Sequence, residues 1–197
     1  MLKTLQNVLV VALAFASGDA GRCIVCAQEE NTEAFLQLDY EQFDQDMNGG
    51  WRVHAKDGKY SEAAKMIEAY LAGVKELTEG NQRMLRFHAG QMWAMGDQAE
   101  KAIKHFKKST QSSENDFMRW NAYVNGTIAF LQKDRAKLKA AREEVAKAEV
   151  PRSFNKNLVV LDMLLDSKDA SYREIFEAII KKATKQAEAS KKQAGSD

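Results

Sequence analysis

Few side chains in this 197-residue chain have the types and spacing that chemistry requires. Its three histidines, His54, His88 and His105, lack the i, i+3 or i, i+4 spacing that puts two metal ligands on one helix face. We expect His88 to be a packed or rim residue and His105 to be exposed. The sequence also lacks the H-E-x-x-H motif, the G-x-S-x-G motif, the phosphate loop and the dinucleotide fingerprint. We therefore predict no metal, no cofactor and no catalytic residue. An enzyme built on this chain would need polar groups that only the fold brings together.

Cys23 and Cys26 form a C-x-x-C motif, the spacing of redox-active and zinc-binding cysteine pairs. The chain has no other cysteine and no histidine close to this pair. If the start of the chain is a cleaved signal peptide, as the next features suggest, cleavage after Ala27 would remove both thiols, whereas cleavage after Ala16 would keep them. We therefore assign no function to the pair.

The first 27 residues have the layout of a secretory signal peptide. Lys3 precedes the apolar run Val8–Ala16, and small residues follow it. The run is too short to span a bilayer, which takes ~20 apolar residues. We expect export to the periplasm or the exterior, with cleavage after Ala27 favoured because polar, helix-forming sequence begins at Gln28. No membrane span is expected once residues 1–27 are removed.

Composition favours a helical protein without a nucleic-acid partner. The chain is 45% hydrophobic and 29% charged, which excludes general disorder and a polytopic membrane protein. One proline and 11 glycines are too few for the many turns of an all-β fold. The formal charge of +1 gives no field that would attract nucleic acid.

Apolar residues recur at the 3.6-residue spacing of amphipathic helices along most of the chain. We predict an all-α domain over 28–183 and a polar tail over 184–197 that lacks an apolar face and frays. The predicted stripes run from Leu36 to Met47, from Ala63 to Val74, from Leu85 to Trp93, from Ala102 to Phe106, from Phe117 to Leu131, from Leu138 to Ala148, from Phe154 to Leu165 and from Tyr172 to Ile179. We expect the first helix to start at Thr32 and to stop at Gly49-Gly50, and the helix with the stripe from Ala63 to close at Gly80-Asn81.

Three tight turns recur about 38 residues apart, at Gly58, at Gly96 and at Lys133-Asp134. Each lies between two amphipathic segments, and so short a link makes the two helices antiparallel neighbours. A period of this length is typical of stacked helix pairs. The sequence therefore predicts a right-handed stack of antiparallel helical hairpins.

The segment from Gly90 to Phe106 resembles a tetratricopeptide repeat. Gly90 and Trp93 match the small residue and the aromatic residue of that family's first helix. Ala102 and Phe106 match the alanine and the large apolar residue of its second helix. One departure is that Gly96, the turn glycine, lies one residue early relative to Ala102.

Weaker copies flank this repeat, so that the resemblance covers about 100 residues. Gly58 and Ala63 resemble the second half of an earlier repeat, whereas a third unit over 120–148 keeps the length without the key small residues. The layout also resembles small exported bacterial proteins of this type, to which no reaction is assigned. The resemblance implies a protein-binding scaffold rather than a catalyst.

In tetratricopeptide arrays the first helices line a concave surface. Aligning Gly90 and Gly126 with the family's small residue predicts which side chains face that groove. Large aromatic residues there are suitable anchors for a partner. The predicted groove residues are Arg52, Phe87, Gln91, Trp120, Tyr123 and Thr127.

We therefore predict an exported, non-catalytic scaffold that holds a peptide, a protein segment or a partner helix in this groove. Two alternatives stay open. One is a self-assembling structural protein, since residues 28–50 hold seven acids and no base while residues 181–197 hold five lysines. The other is an enzyme whose site only the fold assembles. The sequence specifies neither the partner nor the oligomeric state.

Overall fold

The computed structural model describes residues 34–194 except 113, 115, 117 and 153, with side chains to Lys185 apart from Ala183. Every regular element in this part of the chain is helical, which confirms the all-α prediction. The predicted signal peptide over 1–27, with its C-x-x-C motif, lies outside the described residues. Within the region predicted as one helical domain, the described residues form two compact units, 34–110 and 111–194.

The unit of residues 34–110 begins with two short irregular turns and continues with four α-helices. Its elements are a 3-10 turn Ala34–Gln37, a π-helical turn Glu41–Gln45, α1 Arg52–Lys56, α2 Tyr60–Gly73, α3 Glu79–Met95 and α4 Ala99–Lys107. Helix α2 packs on α1 and on α3, and α3 packs on α4.

The unit of residues 111–194 contains four α-helices. They are α5 Trp120–Leu131, α6 Arg135–Val145, α7 Lys156–Asp166 and α8 Tyr172–Ala194. Helices α5 and α6 pack closely, α7 packs on both, and α8 follows α7. The backbone thus stays helical beyond Ala183, into the predicted tail. Across the described part of the chain, no helix has the length and apolar character that crossing a bilayer requires.

Three turns of the same geometry link α1 to α2, α3 to α4 and α5 to α6. The middle residue of each is left-handed: Gly58 at φ +74°, Asp97 at φ +58° and Lys133 at φ +59°. The next amide donates to the carbonyl five residues back, from Lys59 to His54, from Gln98 to Trp93 and from Asp134 to Ala129, at 2.9 Å in every case. This bond ends the first helix with a Schellman motif. The predicted period therefore corresponds to one repeated local structure.

The turn also explains the departure at Gly96. Gly96 has φ −83° and closes α3, while the left-handed position falls on Asp97. Asp97 precedes Ala102 by the same five residues that separate Gly58 from Ala63. The sequence predicts the turn at Gly96, one residue before the left-handed residue, because position 97 carries an aspartate and not a glycine.

The chain before α1 differs from the single amphipathic helix predicted from Thr32. It breaks at Leu38 and Asp39, where a capping box starts a new turn: the Gln42 amide donates to Asp39 Oδ1 at 2.8 Å, and the Asp39 amide donates to Gln42 Oε1 at 3.1 Å. The Phe43 ring then stacks on Tyr70 of α2, with ring centroids 3.7 Å apart. This packing holds the segment against the helices.

Two further predictions need correction. Gly80-Asn81 was expected to close the second helix, but α2 ends at Gly73, and Asn81 lies in the first turn of α3, where its amide donates to the Thr78 cap. Phe154 was expected in the apolar stripe of α7, yet it precedes that helix and is 74% exposed. The reason is that Asn155 caps α7 and so starts the helix after Phe154.

The α3–α4 pair shows why the repeat positions carry their residues. A Cβ on Gly90 would lie 2.7 Å from the Phe106 ring, so only glycine lets that ring reach the backbone of α3. Phe106, Ala102 and Ala63 are fully buried, and Trp93 is buried beside them. The small residues therefore set how closely the helices approach.

In the unit of residues 111–194, a glycine again allows helices to pack closely. A Cβ on Gly126 of α5 would lie 2.8 Å from Leu161 of α7 and 3.1 Å from Ala141 of α6. Asp162 of α7 then accepts hydrogen bonds from Arg142 and Arg152, both at 2.6 Å. The ion pairs fasten α6, the following loop and α7 together.

The repeated turn predicts that Lys133→Gly stabilises the protein by about 1 kcal/mol or slightly less, since glycine removes the left-handed strain of an exposed lysine. Gln132→Gly is the matched control, because Gln132 has φ −84° and glycine there costs ~0.5–1 kcal/mol. Urea unfolding of both variants measures the difference. Equal destabilisation by the two changes would contradict the turn geometry.

We further expect Phe106→Ala to reduce the free energy of unfolding by ~3–5 kcal/mol, because it removes a fully buried ring that packs on Gly90. Lys107→Ala, at the exposed neighbouring position, should change it by less than ~0.5 kcal/mol. Chemical denaturation of both variants measures these changes in the free energy of unfolding. A loss under ~1 kcal/mol for Phe106→Ala would mean that the ring is not part of the core.

Candidate functional site

One carboxylate, Asp44, lies fully buried at the centre of a polar cluster. Its Oδ1 atom accepts hydrogen bonds from Trp51 Nε1 at 2.9 Å and from His88 Nδ1 at 2.8 Å. Its Oδ2 atom accepts one from Gln45 Nε2 at 2.6 Å. Arg52 Nη1 lies 4.0 Å from Oδ1. We call Asp44, Trp51, Arg52 and His88 the Asp44 cluster.

A tight reversal of the chain brings Trp51 and Arg52 back onto Asp44. The π-helical turn buries Asp44 beside Phe43. Gly50 follows at φ +50°, and a Cβ there would lie 1.9 Å from the Phe43 carbonyl oxygen. Only glycine fits this close approach. The predicted stop at Gly49-Gly50 is thus also the element that assembles the cluster.

The cluster keeps Asp44 ionised. Burial alone would raise its pKa, but the charge of His88, the His88 hydrogen bond, the nearby Arg52 and the Trp51 indole outweigh burial and lower the pKa to about 2. Tyr40, beside Gln45, shows the opposite effect, because burial and the negative charge of Asp44 raise the pKa of its phenol. The site therefore holds a fixed negative charge at neutral pH.

The ionised carboxylate orients His88. An ionised carboxylate only accepts hydrogen bonds, so the His88 nitrogen that faces it, Nδ1, is the donor. The imidazole also contacts the Trp51 ring, at 5.3 Å between centroids. His88 is therefore held in one orientation by a charge and by an aromatic face.

Arg52 is the least satisfied member of the cluster. Its guanidinium lies over the Trp51 ring at 4.2 Å, yet its Nε and Nη1 atoms hydrogen-bond to no described residue. The side chain is 1% exposed. Burial lowers the pKa of Arg52, while Asp44 opposes that effect. The structure thus buries a cation with donors that the described residues leave unused.

A second cluster in the same unit repeats part of this chemistry. Glu68 Oε1 accepts hydrogen bonds from Trp93 Nε1 at 2.8 Å and from His105 Nε2 at 2.7 Å. The Glu68 side chain is 40% exposed, so solvent screens this cluster. His105 was predicted to be an exposed residue, but its side chain is only 13% exposed, because the hydrogen bond draws it onto α2. The pairing of an indole and an imidazole on one carboxylate oxygen thus occurs twice.

The predicted groove residues all lie on first helices of the three hairpins, and all are buried. Arg52, Gln91 and Thr127 occupy one equivalent position, six residues before the left-handed residue of each turn. Phe87 and Tyr123 share a second position, one helical turn earlier. Arg52, Phe87 and Gln91 belong to residues 34–110, and Trp120, Tyr123 and Thr127 to residues 111–194. None of the six is as much as a tenth exposed.

Four of the groove residues make contacts within their own unit. The Phe87 ring lies 5.2 Å from the Phe106 ring, and the Trp120 ring lies 5.7 Å from the Tyr123 ring. Thr127 Oγ1 donates to the Tyr123 carbonyl at 3.1 Å. Burial also raises the pKa of the Tyr123 phenol. These four side chains are therefore buried by packing within their own unit.

Asp44 and Trp51 are the site residues that the sequence did not reveal as such. Asp44 is one of seven acids in residues 28–50, and nothing in its type separates it from the exposed ones. The available signal was its position next to the apolar Phe43 and before the glycine pair. His88 was expected to be a packed or rim residue, and the structure buries it against Asp44.

The Asp44 cluster brings charged side chains together, but its contacts with described residues include neither a metal-binding group of side chains nor a nucleophile. In the part of the chain that the structure describes, no three His, Cys, Asp or Glu side chains form a metal site. The hydrogen bonds of His88 and Asp44 to described residues include no serine, threonine or cysteine.

The Asp44 pKa gives a prediction with a definite sign. Folding lowers the pKa from 3.8 to about 2, so this group contributes about 2 kcal/mol of stability above pH 3.8, which is lost as the pH falls through 2. Urea unfolding between pH 5 and pH 2 should show that loss in the wild type and not in Asp44→Asn. Asp46→Asn, at an exposed neighbouring carboxylate, should behave as the wild type does. The same loss in Asp44→Asn would contradict the role of Asp44.

Comparison with models of protein families, with curated proteins and with solved structures finds no match to this chain. Any function proposed for the protein therefore depends on its three repeated turns, its two carboxylate clusters and its exposed residues.

Proposed function

We propose that this protein is an exported, non-catalytic scaffold that holds a peptide or protein segment in a groove of stacked, tetratricopeptide-like hairpins. The observation that carries the proposal is the threefold recurrence of one turn, at Gly58, Asp97 and Lys133, with the same hydrogen bonds. Similar turns give hairpins of similar geometry, and stacked hairpins of similar geometry make an extended concave surface.

The polar residues at one repeat position support binding rather than plain packing. Arg52, Gln91 and Thr127 stand at the same place on three successive first helices, where an apolar residue would bury at less cost. Arginine suits a carboxylate, while amide and hydroxyl groups suit a peptide backbone. The proposal takes Arg52 and Gln91 as groove-floor residues of the unit 34–110 and Thr127 as the equivalent residue of the unit 111–194, each reached by a partner group that inserts between helices.

The compartment forms part of the same proposal. The layout of residues 1–27 favours export, so that the partner would be met in the periplasm or outside the cell. The chain's small formal charge fits a protein or peptide partner better than nucleic acid.

Capture with matched variants tests the function. The protein from its native compartment serves as bait, and bound proteins are identified by mass spectrometry with cross-linking. Gln91→Met and Thr127→Val remove polar groups with little change of shape, and the double variant should lose the partner while remaining folded. Gln98→Met, at an exposed turn position, should retain it. Undiminished capture by the folded double variant would exclude this groove.

One observation favours the second candidate, self-association. Phe154 exposes 74% of its surface and Val159, on the helix that follows, exposes 45%, and a second copy could cover such exposed apolar side chains. Sedimentation at low and high salt separates the cases. Association through the charged termini weakens with salt, whereas association through Phe154 persists with salt and disappears in Phe154→Ser.

A further inference from the structure

Arg52 brings a fork of N–H donors into the protein, and those on Nε and Nη1 have no hydrogen-bond acceptor among the described residues. Its side chain is 1% exposed, so bulk water does not replace the missing acceptors around these two atoms. Burying a cation without acceptors is costly, and native proteins rarely leave a guanidinium in this condition.

Asp44 is not the acceptor that Arg52 lacks. The closest approach is 4.0 Å, from Nη1 to Oδ1, which is too long for a hydrogen bond. Both oxygens of Asp44 already accept shorter bonds, from Trp51 and His88 on one side and from Gln45 on the other. Asp44 therefore balances the charge of Arg52 without satisfying its donors.

The guanidinium is held against an aromatic ring. Its Cζ atom lies over the Trp51 ring, 4.2 Å from the ring centroid. The indole is fixed in turn by its bond to Asp44. A planar fork of donors matches the two oxygens of a carboxylate better than the tetrahedral oxygens of a phosphate, which usually takes several cations.

The site is close to the surface. Arg52 opens the five-residue helix α1, and the next residue, Val53, is 47% exposed. Arg52 also shares its repeat position with Gln91, so the proposed groove runs past it.

We infer that Arg52, stacked on Trp51 beside Asp44 and His88, is a binding residue for a carboxylate group. The inference deepens the proposed function and rests on it for the source of the carboxylate, which is an acidic side chain or the C-terminus of a partner segment. The chemistry itself is testable with acetate as a probe.

Thermal unfolding of the full chain at pH 6 is compared in sodium acetate and in sodium chloride of equal ionic strength. Acetate at saturation should raise the midpoint of the wild type by about 3 °C more than chloride does. Arg52→Met should abolish that difference, and Arg52→Lys should retain less than half, because lysine keeps the charge without the planar fork. Arg83→Met, at a partly exposed position on α3, should retain all of it.

A second measurement serves if Arg52→Met does not fold. The Nε–H signal of Arg52, assigned by its disappearance in Arg52→Lys, should shift and saturate as acetate is added to the wild type. No saturable shift, or an acetate effect equal in the wild type and in folded Arg52→Met, would overturn the inference. A larger, Arg52-dependent effect of sodium phosphate would also overturn it in favour of a phosphate site.

The two proposals fail in different ways. Acetate binding at Arg52 without capture of any partner would leave the carboxylate site standing and remove the scaffold function. If Arg52→Lys captures the partner as the wild type does and acetate has no effect, the scaffold function would stand and the carboxylate site would be excluded.

Discussion

A left-handed residue at the end of a helix can reverse the chain within three residues, and this protein depends on that reversal. The turn closes one hydrogen bond across the helix end and starts the next helix on the antiparallel course. Glycine occupies the position at Gly58, whereas Asp97 and Lys133 adopt it at a cost of ~1 kcal/mol or more each. Packing on both sides must hold those two residues there, and the buried Ala102 and Leu138, five residues further on, show where that packing lies.

Fixed turns give fixed positions on the helices, and two carboxylates in the first unit gather the same partners. Asp44 and Glu68 each accept hydrogen bonds from an indole and an imidazole on one carboxylate oxygen. Asp44 is fully buried, and its partners lower its pKa to about 2 against the effect of burial. Such a cluster contributes orientation more than stability, because hydrogen bonds and charge pairs only offset the cost of burying the ions.

The sequence predicts the features that depend on local pattern. Amphipathic stripes identify most helices, Gly58 marks the turn between α1 and α2, and Gly90 and Phe106 mark the close contact of α3 and α4. Left-handed Asp97 was missed because its residue type only weakly signals that conformation. Buried Asp44 was missed because its neighbours in sequence are also acidic, and burial is decided by a reversal at Gly50 that brings distant residues together. The exposure of Phe154 depends on a helix cap, which hydrophobic periodicity does not register.

Where helix caps, helix contacts and buried charges follow the usual physical rules, a buried polar group without a partner is informative about function. Helix caps at Thr78, Asp134 and Asn155 are made, small residues stand where helices touch, and the fully buried carboxylate of Asp44 is paired. Among the described residues, His105 and Arg119 also carry a buried nitrogen without a partner, but their side chains are 13% and 43% exposed, whereas that of Arg52 is 2% exposed. A buried methionine would pack at position 52 without the cost of desolvating a cation. Arginine at this position is physically reasonable if an acceptor reaches its Nε and Nη1 atoms from beyond the described residues.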